Sequence, residues 1–277
     1  MATTLGTRDY LLGHSTREQE RLKLQARIVG GWTRQYLLSA GLAPGMRVLD
    51  LGCGVGDVAL LAAEIVGPSG GVHGIDRDGA AVEKARQRAA ENGHGEFVAF
   101  DRGNLLDFHA EQKYDAAIGR YILLYQPDPA AALRHVAEQV RPGGILCFHE
   151  TAFGHPPPSY PENILFERML GLVGETFRRA GVNPDMGLHL VKTFLAAGLP
   201  RPTIKADVPV GGEAGSYVYG WGAETVRSLL PAILRLGLAT EDEIDIDTLA
   251  QRMEDEAVAL RSQILGPIQF GAWTIRR

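Results

Sequence analysis

The stretch RVLDLGCGVGD, residues 47–57, constrains this chain more than any other. Val48 and Leu49 form a short apolar run that reaches Asp50, and glycines then stand at every second position: Gly52, Gly54 and Gly56. A helix-prone run from Val58 to Val66 follows. The pattern is strand, glycine turn, helix. Such a turn needs glycine because its backbone bends sharply and lets a ligand lie close against it. An acid just ahead of the glycines suits a ligand end that carries positive charge.

Four landmarks follow in order. GVHGID, residues 71–76, reads as a second strand ending in Asp76. That acid lies about 20 residues past the last glycine, where an α/β nucleotide site places a carboxylate on ribose hydroxyls. FVAFDRGN, 97–104, reads as a third strand and its exit turn. YDAAIGRYILLYQPDP, 114–129, reads as a fourth strand and the loop after it. In RPGGILCFHE, 141–150, a helix is expected to end at Arg141, with a Pro-Gly-Gly turn and a fifth strand running into His149 and Glu150. Strands and helices that alternate in this way imply a parallel sheet with right-handed crossovers.

Residues 45–150 together resemble the class I S-adenosylmethionine methyltransferases, whose first motif is an acid followed by G-x-G-x-G. The resemblance implies an α/β fold: a Rossmann-like, seven-stranded, mostly parallel sheet with helices on both faces and helical cap insertions. The last strand would run antiparallel between the fifth and sixth. It implies S-adenosyl-L-methionine as cofactor and S-adenosyl-L-homocysteine as its product. The residues it places at the cofactor are Asp50, Gly52, Cys53, Gly54 and Gly56, then Asp76 and Arg77, Asn104 and Leu105, and Arg120 and Tyr121. The family often has Asp where this chain has Asn104; an amide can still accept from the adenine amino group and donate to a ring nitrogen. The nicotinamide fingerprint G-x-G-x-x-G has two residues between its second and third glycines, so the spacing here disfavours an oxidoreductase. A cyclase or binding protein on the same fold would carry the same motifs.

The rest of the chain divides around that core. Residues 1–40 read as a helical leader, with a capping-box spacing at Ser15 and Glu18 and a kink or break at Gly30-Gly31. Residues 41–150 form the core, 151–185 a helical insertion, and 186–277 the remainder of the core with a second insertion over 212–264. Within these, helices are expected near 162–180, 186–198, 217–236 and 247–264, and strands over 204–210 and 268–275. In open α/β sheets ligands bind at the carboxyl ends of the strands, so leader and insertions are expected to cap the site. The leader YLLGHSTREQERLKLQ and segments such as VPVGG resemble bacterial stand-alone methyltransferases that act on small molecules, including those of secondary metabolism.

Displacement at a sulfonium methyl group asks the protein mainly to align the reactants and exclude water. No strong catalytic constellation is therefore required. Where the nucleophile must lose a proton, the candidate bases are His149, Glu150, Tyr10 and His14; Arg120 could instead hold a carboxylate. No metal-ligand spacing stands out. A net charge of −5 supplies no electrostatic footprint for nucleic acid. No run approaches the length of a membrane span and no signal peptide is suggested. Cys53 and Cys147 read as reduced packing residues. The expectation is a cytoplasmic enzyme, with a homodimer left open, acting on a small, partly apolar metabolite.

Overall fold

The computed structural model describes residues 16–155 and 158–277, without the side chains of 16–24, 26 and 27. In chain order its elements are α1 (Thr16–Ala40), β1 (Arg47–Leu51), α2 (Asp57–Val66), β2 (Gly71–Asp76), α3 (Gly79–Glu91), β3 (Val98–Arg102), β4 (Tyr114–Arg120), α4 (Pro129–Gln139) and β5 (Val140–Ala152). Then come α5 (Ile164–Arg179), α6 (Met186–Ala196), β6 (Thr203–Asp207), β7 (Val210–Gly211), α7 (Tyr217–Arg235), α8 (Glu241–Ile244), α9 (Leu249–Leu260), β8 (Ile264–Leu265) and β9 (Ile268–Ile275). The chain forms two compact units. One holds 28–151, 185–207 and 269–277; the other holds the described part of 1–27 with 152–184 and 208–268.

The first unit is a seven-stranded sheet in the order β3-β2-β1-β4-β5-β9-β6. β1 runs parallel to β2 and β4, β2 to β3, and β4 to β5, while β9 runs antiparallel to β6. The mixed sheet with its last strand between the fifth and sixth is the expected one. Alternation along the strands sorts side chains to two faces. Val48, Val72, Val98, Phe100, Ala116, Ile118, Ile145 and Cys147 join residues of α1, α2 and α3 in one core. The alternate set, including Phe148, faces the other way, where Phe148 meets Phe194 of α6 edge to face at 6.2 Å.

Five features depart from the sequence reading. α1 runs unbroken through Gly30-Gly31; the penalty for glycine in a helix, about 1 kcal/mol each, is outweighed where flanking Val29 and Tyr36 are fully buried. The helix before β5 ends at Gln139 rather than Arg141. The Pro-Gly-Gly run is a bulge inside β5, since Tyr114 pairs with Val140 but Ala116 pairs with Ile145. A Cβ on Gly144 would lie 2.5 Å from Val140 Cγ1 and 2.7 Å from Asp115 O, so that bulge needs glycine. β6 stops at Asp207, and of the remaining expected strand only Val210 is paired, in β7 with β8. For the same reason the last helix stops at Leu260, ahead of β8.

The second unit is helical, with α5, α7 and α9 packed together around Phe166, Met169, Val173, Val226, Leu229 and Met253. Asn163 caps α5 by accepting from Phe166 N at 2.8 Å. Both of its long segments leave the sheet at strand ends, after β5 and after β6. No helix among the described residues is long and apolar enough to cross a membrane.

Candidate functional site

The glycine turn is built as its sequence demands. Gly52, Gly54 and Gly56 all have left-handed backbone, with φ of 63°, 51° and 87°, where side chains other than glycine pay a steric penalty. Two of them also need the space. A Cβ on Gly52 would lie 2.5 Å from Ile122 Cδ1, and one on Gly56 would lie 3.1 Å from both Ala85 Cβ and Phe100 Cζ. At Gly54 a Cβ would meet nothing within 4 Å. The middle of the turn therefore faces open space, as a surface that receives a ligand must. Cys53 is buried beneath it, a free thiol raised by burial and by the nearby Asp50 and Asp76.

Asp50 lies under this turn. It is 1 % exposed; neither carboxylate oxygen meets a donor at full hydrogen-bond geometry, and the Ala59 N–H of α2 satisfies it only in part. Burial pushes its carboxyl up to about 8, with Arg120 pulling the other way and Asp76 adding to the rise. A buried carboxylate so poorly satisfied is costly in a folded protein and marks a place for a donor or a cation.

Asp76 ends β2 and braces two turns at once. Its Oδ2 accepts from Gly54 N and its Oδ1 from Asp78 N, each at 2.9 Å. Arg77 beside it is exposed, and its carbonyl accepts from Arg102 Nε at 3.2 Å. Gly103 N donates to Asp76 O at 2.9 Å, which ties the exit of β3 to that of β2. Asn104 is exposed there, its Oδ1 accepting from Leu106 N at 3.2 Å, while Leu105 is buried.

Arg120 and His149 are register partners on β4 and β5, and Asp50 pairs with Ile118 two residues earlier on β4. By alternation Asp50, Arg120 and His149 share the sheet face that α1 covers. Arg120 Nη2 lies 3.7 Å from Asp57 Oδ2 at the start of α2, and Asp57 Oδ1 also meets Arg88 Nη1 at 2.7 Å. Tyr121 follows with φ of 55°, a conformation disfavoured for a residue with a side chain. Its N–H donates to His149 O at 2.9 Å. His149 is buried with both ring nitrogens in contact with Thr33 and Gln269. Glu150 points to the opposite face, where Oε1 accepts from Ile122 N at 3.0 Å and Leu123 N at 2.7 Å. It thereby caps the short helical turn Leu123–Tyr125. Burial pushes its carboxyl up to about 8.

Of the residues singled out from sequence, the structure brings Asp50, Cys53, the three glycines, Asp76, Arg120, Tyr121 and His149 to the carboxyl ends of β1, β2, β4 and β5. Asn104 and Leu105 sit at the exit of β3. Tyr10 and His14 lie outside the described residues. Sequence reasoning missed Thr33, Asp57 and Gln269. Asp57 was findable as an acid in the first turn of α2. Gln269 was findable as the lone amide in the apolar strand IQFGAWTI, where it is fully buried. Among the described residues no cluster of His, Cys, Asp or Glu could hold a metal ion.

Residues 42–163 match a family model described as a methyltransferase domain. The chain is 37% identical over 122 residues to 2-phytyl-1,4-naphtoquinone methyltransferase of Synechococcus elongatus, covering 43% of this chain and 52% of that one. It is 35% identical over 109 residues to the aklanonic acid methyltransferase DauC of Streptomyces sp. strain C5, covering 39% and 50%. The chain thus spans about half the length of these curated relatives. Its fold matches geranyl diphosphate methyltransferase in complex with SAM at a TM-score of 0.53 and 14% identity, over 95% of this chain and 93% of that one. Residues 42–163 are thus similar to methyltransferase domains, and the fold is shared with a solved methyltransferase.

Proposed function

We propose that this protein transfers the methyl group of S-adenosyl-L-methionine to a small, partly apolar metabolite. The observation that carries the reading is Asp50, buried and without a donor at full hydrogen-bond geometry, below a glycine turn whose middle residue faces open space. These residues fit the cofactor: a carboxylate for its cationic end, glycine backbone that it can approach, and acceptors at the exits of β2 and β3. When bound, the cofactor supplies an activated methyl carbon together with its own leaving group.

The chain's own residues have three tasks in this reading. Asp50 and the glycine turn hold the amino-acid end. Asp76 accepts from the ribose while bracing Gly54, and Asn104 takes the adenine edge. Arg120 and Tyr121 stand where β4 ends, Arg120 for a carboxylate. Alignment and exclusion of water then lower the barrier, worth up to several kcal/mol in well-oriented systems. The leader and the segments after β5 and β6 are the spare chain for covering the site, and Tyr10 and His14 of the leader are the proposed general-base candidates. The substrate class follows the naphthoquinone and the aklanonic acid named in the relatives. The buried free thiols of Cys53 and Cys147 accord with a cytoplasmic setting.

The test is calorimetry with S-adenosyl-L-methionine followed by product analysis with its methyl-labelled form and a panel of naphthoquinols and phenolic acids. The expected result is micromolar affinity, roughly −8 kcal/mol, and label in a product. Binding without any label transfer, but with conversion of a substrate, would favour a cyclase. No binding would sink the reading.

A further inference from the structure

His149 is 2 % exposed, and its surroundings are complete. Nδ1 lies 2.9 Å from Thr33 Oγ1 on α1, and Nε2 lies 3.1 Å from Gln269 Oε1 on β9. Tyr36 packs edge-on at 5.0 Å between centroids, and Tyr121 at 5.4 Å. Each polar partner leads further. Arg120 Nη1 donates to Thr33 Oγ1 at 3.3 Å, and Arg120 also reaches Asp57 beside the glycine turn. On the other side the Tyr121 hydroxyl donates to Gln269 Oε1 at 2.5 Å, and Gln269 Nε2 donates to Thr151 Oγ1 at 3.3 Å. A continuous row of side chains therefore runs from the glycine turn to the loop after β4.

The partners place the protons. The Gln269 amide turns its nitrogen to Thr151 Oγ1 and its oxygen to the Tyr121 hydroxyl, which donates to it. The same oxygen faces His149 Nε2 and can only accept. Nε2 therefore carries the ring proton. The single Thr33 hydroxyl proton has two acceptors in reach, Val29 O at 3.0 Å and Nδ1 at 2.9 Å; Val29 O already closes a helical turn of α1, so the proton goes to Nδ1. The ring is neutral, because burial first and the Arg120 charge second push it down to about 3. A neutral imidazole bonded at both nitrogens keeps no lone pair for a substrate proton. What it does hold is Tyr121, whose left-handed backbone is secured by the bond to His149 O and whose phenol is secured through Gln269.

We propose that His149 is a positioning residue: neutral and protonated on Nε2, it joins Thr33 and Gln269 in a row that presets Arg120 and Tyr121 for the cofactor. The inference rests on the methyltransferase reading for what Arg120 and Tyr121 meet, and not for the row itself.

Two measurements test it. In the full chain with 15N-labelled histidine, the His149 signals are assigned by their loss in His149→Gln. They should show the Nε2–H tautomer unchanged from about pH 5 to pH 8, and Gln269→Leu should abolish that preference. Calorimetry with S-adenosyl-L-homocysteine should show Thr33→Val and Gln269→Leu each weakening binding by about three- to tenfold, the loss of one neutral hydrogen bond. His149→Gln, whose amide can still donate to Gln269, should bind more tightly than His149→Leu. A ring that titrates within that range, or one protonated on Nδ1, overturns the proposal, as does unchanged affinity in folded variants. A wild-type chain that binds neither S-adenosyl-L-homocysteine nor the methyl donor overturns the cofactor reading instead, and the tautomer measurement still decides the row.

Discussion

Asp50 concentrates the chemistry of the site in one carboxyl group. In the free protein burial holds it up to about 8, against an ordinary value of 3.8. Around neutral pH much of it is therefore protonated. A cationic ligand favours the ionised form, so binding should expel protons between those two values. Calorimetry at pH 7 in buffers of different ionisation enthalpy should find that release with S-adenosyl-L-methionine. Asp50→Asn should remove it and weaken binding by about tenfold or more, as expected for a hydrogen bond to a charged group. Equal proton release in the two proteins would mean that Asp50 does not meet the cationic end. The acid before the glycines was legible from sequence because its distance along the chain from the turn is fixed. Its lack of a well-placed donor was not, since that is a property of everything packed around it.

At the scale of elements, the glycine turn and α1 behave differently. The turn follows from local rules: left-handed backbone at alternate positions admits few residues but glycine. The seat of α1 follows from a contact over two hundred residues apart in sequence. A Cβ on Gly271 of β9 would fall on the ring of Tyr36. That ring cannot yield, because it is fully buried and its hydroxyl donates to Asp207 Oδ2 at 2.7 Å. Gly271→Ala should therefore destabilise the protein by about 1–3 kcal/mol, the usual cost of overpacking, measured by urea unfolding. A neutral result would show that α1 is free to shift on the sheet. The bulge in β5 belongs to the same category. RPGG reads from sequence as a turn ahead of a strand, whereas pairing of Val140 with Tyr114 draws it into the sheet.

Across the whole molecule, buried ionisable groups set how stability varies with pH. Asp50 and Glu150 are both held up to about 8 in the folded chain, from ordinary values of 3.8 and 4.5. The folded state thus binds more protons than the unfolded one over that window, and stability falls as pH rises through it. His149 acts in the opposite sense. Its folded value is lowered from 6.5 to about 3, so the unfolded chain binds the extra proton and stability rises with pH between those limits. Of these three groups, only the two carboxyls change protonation between pH 6.5 and pH 8. Without ligand, Tm should fall from pH 6.5 to pH 8, as stability drops by at most about 1.4 kcal/mol per pH unit for each group. Asp50→Asn should flatten the decline, and thermal melts that stay level in the wild type would contradict this account.

The amino-acid sequence by itself determined the fold class of this protein: the acid, the glycines at alternate positions, Asp76 some 20 residues on and the alternation of strands and helices. These are short-range features, since a tight turn and a strand end restrict residue type wherever they occur. Tertiary structure alone decided the rest. It put Thr33 of the leader helix and Gln269 of the last strand on the two nitrogens of His149, and it turned Glu150 to the other face of the sheet, away from His149, its neighbour in sequence. Those outcomes depend on strand order and register, which place residues from distant parts of the chain side by side. No local pattern encodes which of them will meet.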